Sequence, residues 1–410
     1  MFHNTAPESN FYGLGIAPKL LSAISKLKFI SPTPIQEKAI PVAIEGKDLI
    51  GIAQTGTGKT LAFGIPMLQR LATIKTNGLI ILPTRELAMQ VEETLQKLGR
   101  DMGLKTALLI GGASMRHQQE SISRNPHIVI GTPGRINDHL ERKGLSLKNV
   151  GILVLDEADR MLDMGFAPQI NKILKEIPKD RQTMLFSATM PDEIARIATQ
   201  SMKLPLRIEI ARPGSAAEQV DQELIIVKRE NKFSLLQKIL DEYKGSVLVF
   251  SRTKWGAKKI ARALRDMKYT STEIHSERSL FQRKEALEGF KSGKYKVLVA
   301  TDIASRGIDV KNIELVINFD IPDDPSDYIH RIGRTGRAGN AGKAISFATP
   351  DQKSAVREIE KLLKTAIAVS NMHEFPFWEK QSSPQRKNFG RKTFHKTFNR
   401  RNFKGSRFYR

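Results

Sequence analysis

The 410-residue sequence predicts an α/β protein of two tandem blocks, each a parallel sheet with helices on both faces, followed by a basic tail. Three observations carry that expectation. Short apolar runs alternate with helical patterns along most of the chain, as in successive βαβ units. The alternation is interrupted at "ARPGSAA", Ala211–Ala217, which reads as a linker. After residue 375 the composition turns to cations and aromatic residues, with no aliphatic side chain from which to build a core.

In the first block the strands are read, in order, at "DLIGIA", "GLIILP", "ALLIGG", "HIVIGT", "GILVLD" and "TMLFSA". Their apolar character is continuous rather than alternating, which suits strands covered on both faces. Helical patterns between them include Leu61–Leu71 and Glu86–Gly99. The second block repeats the scheme with "QELIIV", "SVLVFS", "TEIHS", "KVLVAT", "LVINFD" and "AISFAT", and with helices near Asn231–Leu240 and Lys254–Met267. No close sequence repeat links the blocks; the likeness is one of pattern. The chain therefore divides into a leading region 1–38, a first block 39–210, the linker 211–217, a second block 218–375 and a tail 376–410.

Composition narrows the function. There are no cysteines, which removes disulfides, thiolate catalysis and cysteine zinc sites and agrees with a reducing, cytoplasmic setting. No apolar run approaches the ~20 residues that cross a bilayer, and the first residues lack a basic-then-apolar leader, so neither membrane contact nor secretion is expected. The formal net charge of +23 points to a polyanionic partner. From Lys380 to Arg410 there are many Lys and Arg and no Asp or Glu. Phe389, Phe394, Phe398, Phe403, Phe408 and Tyr409 are spaced among those cations, so bases could stack while phosphates are neutralised. A purely solubilising tail is the alternative, but it has no need of aromatic rings.

Two local motifs describe nucleotide chemistry. "AQTGTGKT", Ala53-Gln54-Thr55-Gly56-Thr57-Gly58-Lys59-Thr60, follows a strand and opens a helix. Glycines there let backbone N–H groups turn around phosphate, and the helix aims its positive end at the same anion. Lys59 is the residue to reach the β- and γ-phosphates of ATP, and Thr60 to hold Mg²⁺. Ala53 replaces the usual first glycine of the pattern. Further on, an apolar strand ends at Asp156-Glu157, where Asp156 is the Mg²⁺ partner and Glu157 the group to orient and deprotonate the attacking water. A carboxylate pair in that place is, by itself, often only a helix N-cap. The second block offers "HRIGRTGR", His330–Arg337, whose cations could neutralise the departing phosphate if the blocks close, or bind nucleic-acid phosphates.

With these residues in view, the chain resembles the DEAD-box ATP-dependent RNA helicases, of the bacterial RhlE type, from Phe11 to about Leu363. The resemblance implies two RecA-like domains, 39–210 and 218–375, with the leading region packed on the first. It implies that Phe11, Phe29 and Gln36, in and before "FISPTPIQ", hold the adenine. "SAT", Ser187-Ala188-Thr189, would hydrogen-bond "DEAD", Asp156–Asp159, and together with His330 couple the domains. RNA-backbone contacts would come from Thr84 and Arg85 of "PTREL", Gly111 and Gly112, Thr132, Pro133, Gly134 and Arg135 of "TPGR", Arg252, Thr301 and Arg306. Gly307 and Asp309 would meet the nucleotide, and Arg334 and Arg337 would be the two arginine fingers. One stretch departs from the family: in "HSERSLFQR" Arg283 aligns with an arginine taken as an RNA contact, but Ser276 stands for glycine and Leu280 for glutamine. The implied cofactors are ATP and Mg²⁺. The implied partner is RNA, single-stranded or in short duplexes, with ribosomal particles or RNA-decay proteins open as further partners. A DNA translocase and a non-catalytic RNA chaperone remain as rivals.

Overall fold

The computed structural model describes residues 10–54, 56–210, 220–302, 313–336 and 342–370. The expected linker and tail lie outside these residues, as do Thr55, Arg306, Gly307, Asp309 and Arg337.

The first sheet contains β1 (Leu49–Ile52), β2 (Asn77–Ile81), β3 (Thr106–Leu109), β4 (Ile128–Gly131), β5 (Val150–Leu155), β6 (Gln182–Ser187) and β7 (Leu206–Glu209), in the order β3-β4-β2-β5-β6-β1-β7. The second contains β8 (Val220–Ile226), β9 (Val247–Phe250), β10 (Ser271–Ile274), β11 (Val297–Ala300), β12 (Leu315–Asn318), β13 (Gly342–Ala348) and β14 (Ala368–Val369), in the order β10-β11-β9-β12-β13-β8-β14. Counted from its own first strand, each sheet runs third, fourth, second, fifth, sixth, first, seventh. Every strand pair is parallel. The two blocks thus share one topology, the two tandem RecA-like sheets expected, although their sequences show no close repeat.

The period of two residues along a strand explains the continuous apolar runs. Leu49, Ile80, Ile152, Val154, Met184 and Phe186 enter one core cluster, while their neighbours Ile50, Ile81, Leu153, Leu155 and Leu185 enter a second on the opposite face. Phe11, Ile16, Leu20 and Ile35 join the first cluster, so the leading segment is packed into the first block. A third cluster, with Leu248, Phe250, Leu298 and Val316, builds the second block. Two strands have no counterpart in the sequence reading. β7 is an edge strand with three of four residues exposed, and β14 has only two residues. Both sheets belong to one compact unit that extends to Ser370. No helix among the described residues is long and apolar enough to cross a membrane.

Candidate active site

Sheet order brings the chemistry together. β5, β6 and β1 are neighbours, so the residues after their C-terminal ends, Asp156-Glu157, Ser187–Thr189 and the Gln54–Gly58 loop, line one edge of the first sheet. In the loop, Gly56 and Gly58 have φ of +85° and +89°, left-handed values that glycine adopts without steric cost. Thr57 Oγ1 donates to the Gln54 carbonyl at 2.7 Å. The helix Lys59–Leu71 begins directly after Gly58 and points its N-terminus at the loop.

Lys59 is buried and donates to the Ala53 carbonyl and to Glu157 Oε1, both at 3.2 Å. Burial works against its charge, but Glu157, Asp156 and Asp159 outweigh that and raise its pKa. Glu157 also takes Arg160 Nη1 at 3.3 Å. Its burial would favour the neutral acid, yet Lys59, Arg160 and Arg334 hold the carboxyl down at about 2. Asp156 has the opposite fate: burial pushes it up to about 7 against the pull of Lys59, with the Glu157 charge adding to the rise. Glu157 occupies the N-cap position of the helix Ala158–Asp163 but makes no side-chain cap bond, and its backbone is left-handed at φ +55°, ψ +48°. A non-glycine residue in that region is strained by about 1–3 kcal/mol, which the surrounding packing must offset. The Glu157 side chain is therefore not spent on capping the helix.

Asp159 is the hub between the "DEAD" and "SAT" segments. Its Oδ2 accepts from the Ala188 and Thr189 amides at 3.0 and 2.8 Å and from Thr189 Oγ1 at 2.9 Å. Its own amide donates to Ser187 Oγ at 3.1 Å. Gln36 is equally committed: its amide nitrogen donates to the Gly58 carbonyl at 2.9 Å, and its oxygen accepts from the Thr33 amide at 3.0 Å. It ties the leading segment to the phosphate loop. Phe11 is packed into the core, whereas the Phe29 ring is 43% exposed.

The second block faces this edge. His330, at the end of the helix Pro325–Ile332, has its pKa lowered by burial and then by Arg160 and Arg334, while Asp159 and Glu157 oppose the shift. Arg334 is buried and bears on Glu157. Arg331, by contrast, turns inward. It is 1% exposed, forms a bidentate pair with Asp302 at 2.5 and 2.7 Å and lies 5.1 Å from the Phe250 ring. So the described "HRIGRTGR" cations divide: Arg331 is an internal anchor, while His330 and Arg334 face the first block.

The expected RNA contacts among the described residues stand at or just after strand ends. Thr84 caps the helix Arg85–Gly99 through the Leu87 amide, 3.3 Å. The Arg85 guanidinium lies against Gly111 and Gly112, where an added Cβ would come within 3.1 and 2.4 Å of it. Thr132, Pro133 and Gly134 turn the chain from β4 into the helix Pro133–Glu141, and Arg135 donates to the Ala113 carbonyl at 3.1 Å. Arg252 is exposed after β9 and donates to the Ile321 carbonyl at 3.3 Å. Thr301 follows β11. Arg283 approaches the first block. Its Nε lies 2.9 Å from Glu86 Oε1 of the first block, both side chains largely buried, and off line for a hydrogen bond. Glu86 and Arg283 sit on helices of different blocks, Arg85–Gly99 and Leu280–Lys291, which approach each other at this pair and at Leu280. Sequence reasoning also missed Arg160 and Asp302, which act only through partners distant in the chain or one helical turn away.

Comparison with known proteins agrees with this geometry. The DEAD/DEAH box helicase model matches residues 33–197, and the helicase conserved C-terminal domain model matches 231–339. The chain belongs to the DEAD-box ATP-dependent RNA helicases. It is 46% identical over 86% of its length to the ATP-dependent rRNA helicase RRP3 of Debaryomyces hansenii, covering 75% of that protein. It is also 46% identical over 87% of its length to the ATP-dependent RNA helicase CshA of Listeria monocytogenes, covering 69% of it. Among solved structures, S. cerevisiae Dbp5 bound to RNA and ADP BeF3 superposes with a TM-score of 0.79 at 32% identity, covering 88% of this chain and 95% of that one. Mss116p bound to ssRNA and AMP-PNP gives 0.78 at 30% identity, covering 86% and 77%. In this DEAD-box helicase the signature carboxylates are thus the ones gathered at the sheet edge.

Proposed function

We propose that this helicase separates short RNA duplexes, or remodels RNA–protein complexes, by closing its two blocks on a single strand while ATP is bound. The observation that supports this most directly is electrostatic. His330 and Arg334 of the second block lie within electrostatic reach of Glu157, Asp159 and Arg160 of the first, which supports a catalytic edge shared by the two blocks. ATP would lie with its phosphates on the Gln54–Thr60 loop and its adenine toward Gln36 and the open Phe29 ring. The incoming phosphates compete for Lys59 and release Glu157 to orient and deprotonate water. Arg334 and Arg337 then neutralise charge on the departing phosphate, which links turnover to closure.

Mg²⁺ fits the donors present: the buried Asp156 carboxyl and the Thr60 hydroxyl are hard oxygen donors, and a magnesium ion typically takes only one or two protein oxygens with phosphates and water. Thr60 and Asp156 would hold it, and a cation there would relieve the burial that raises Asp156. When bound, the ion supplies positive charge to the phosphates.

RNA is read through its backbone by the strand-end residues of both blocks, so core sequence preference is weak. A strand held bent is incompatible with a regular duplex, and, with base-pair steps worth about 1.4 kcal/mol each in DNA, few need be lost for a short helix to part. The tail 376–410 tethers RNA by stacking and charge. The bacterial RhlE type, a cytoplasmic setting and ribosomal or RNA-decay partners belong to the same reading.

Glu157→Gln tests it. ATP turnover should fall by about 10²–10⁴, with RNA binding retained and repeated strand separation lost. Strand separation at the wild-type rate would favour a passive chaperone. Stimulation of ATP turnover by DNA as strong as by matched RNA would favour the DNA-translocase reading.

A further inference from the structure

The helix Lys254–Asp266 has two unlike faces. Ala257, Ile260, Ala261 and Leu264 are buried against the second sheet. On the opposite side, at the helical spacings i, i+3, i+4 and i+7, stand Trp255, Lys258, Lys259 and Arg262, all exposed. Trp255 is 63% exposed in the first turn of the helix. Two cations lie over the ring: Lys254 Nζ is 5.6 Å and Lys258 Nζ 5.8 Å from its centroid. Lys254 is paired with Glu277 at 2.7 Å. Lys258, Lys259 and Arg262 make no ion pair among the described residues, although Lys259 lies over the Phe233 ring. Arg252, an expected phosphate contact, is three residues before the tryptophan.

We infer that Trp255 is a base-stacking platform for single-stranded RNA, with Lys258 and Arg262 carrying the adjoining phosphates. The inference rests on the RNA-helicase reading and adds to it a contact to a base rather than to the backbone. Charge complementarity selects the occupant. A row of exposed cations with no ion pair among the described residues favours an anion, and the exposed indole beside that row offers a π-face to a base that displaces an overlying lysine. Single-stranded RNA presents phosphates and flat bases in alternation and fills both requirements. An acidic peptide would use the cations and leave the ring in water. The helix geometry also favours a platform over a wedge, because the ring is braced by its lysines rather than free to insert between paired bases. Stacking is sequence-tolerant, so this contact would strengthen the grip on any strand.

The chain has two tryptophans, Trp255 and Trp378, which makes the site separately observable. In full-length protein carrying Trp378→Phe, Trp255 emission should be quenched by a uridine decamer in the presence of AMP-PNP. Trp255→Ala should weaken decamer affinity by about fivefold or more, and Trp255→Tyr by no more than about twofold. On an abasic strand of the same length, the difference between Trp255→Ala and its parent should vanish. Unchanged emission with equal affinities for parent and Trp255→Ala would overturn the inference. Equal quenching by polyglutamate would also overturn it, marking a charge surface without base recognition. The decamer's stimulation of ATP turnover reports separately on the helicase cycle. Quenching without stimulation keeps the stack and removes the coupled cycle; stimulation without quenching does the reverse.

Discussion

Asp156, Glu157 and Asp159 lie within four positions and are all buried, at 4%, 4% and 6% exposure, yet their surroundings treat them differently. Asp159 is satisfied by two amides and a hydroxyl. Glu157 is neutralised by Lys59 and Arg160. Asp156 receives the Glu157 amide at 3.0 Å and is pushed up to about 7, chiefly by burial. The sign of its effect on stability follows. Between the ordinary aspartate range and about 7 the folded chain keeps a proton that the unfolded chain has released. This contribution is present in acid and lost as pH rises through about 7, so in the ligand-free protein at pH 8 the charged Asp156 is a cost. Asp156→Asn should therefore stabilise the ligand-free fold by about 1–3 kcal/mol at pH 8 and by less at pH 5, while ATP turnover is lost. Urea unfolding at the two pH values measures it. A variant less stable than wild type at pH 8 would mean that the carboxylate is better solvated than its burial indicates.

At the scale of elements, the helix Pro133–Glu141 shows how a strand-end segment is fixed. His139 is 1% exposed, and its Nε2 lies 3.1 Å from Gln118 Oε1, while Gln118 donates to the Ile110 carbonyl at 2.9 Å. The chain of bonds links "TPGR" to the Gly111-Gly112 turn. Burial, then Arg135, lowers the His139 pKa. As pH falls below the ordinary histidine range the unfolded chain takes up the proton first, so this stability is present above that range and lost on acidification through the folded value. Replacing His139 by Gln, which keeps a donor but does not titrate, should reduce the loss of unfolding free energy between pH 7.5 and 5.5 by up to about 1 kcal/mol. An identical pH slope in both proteins would remove His139 from the account. Elements of this kind mark the limit of what the sequence displays. The inner strands were legible because burial on both faces demands unbroken apolar runs, and the phosphate loop and Asp156-Glu157 because their chemistry is local. β7 and β14 were not, since an exposed edge and a two-residue pairing leave no apolar run. The shared strand order was equally hidden, because a topology constrains which positions are apolar and leaves the identity of each side chain free. Ion pairs such as Arg331 with Asp302 need the fold to name the partner.

For the whole molecule the question is what holds the two blocks in register. One contact is the edge where His330 and Arg334 approach Glu157, Asp159 and Arg160. A second lies between the helices Arg85–Gly99 and Leu280–Lys291. There Arg283 meets Glu86, Leu280 packs on the first-block core, and Lys284 and Lys291 act on Glu93. Leu280, standing where the family pattern has glutamine, therefore makes an apolar contribution to the joint. Glu86 immediately follows Arg85, the expected RNA contact, so the joint and the RNA surface share one helical turn. Removing one member of a buried pair leaves the other charge uncompensated, typically at a cost of about 3–5 kcal/mol, whereas exchanging the two charges keeps the compensation. Arg283→Ala and Glu86→Ala should each raise by about tenfold or more the RNA concentration that half-saturates ATP turnover, a change of about 1.4 kcal/mol or more. The smaller value is expected because the open protein returns both groups to water. The double exchange Glu86→Arg with Arg283→Glu should recover most of the loss. RNA titrations of ATP turnover on the wild type, the single reversals Glu86→Arg and Arg283→Glu, and the double exchange form a double-mutant cycle that measures the coupling. If the exchanged protein is as impaired as the two single losses added together, the pair does not join the blocks, and closure rests on the catalytic edge and the RNA.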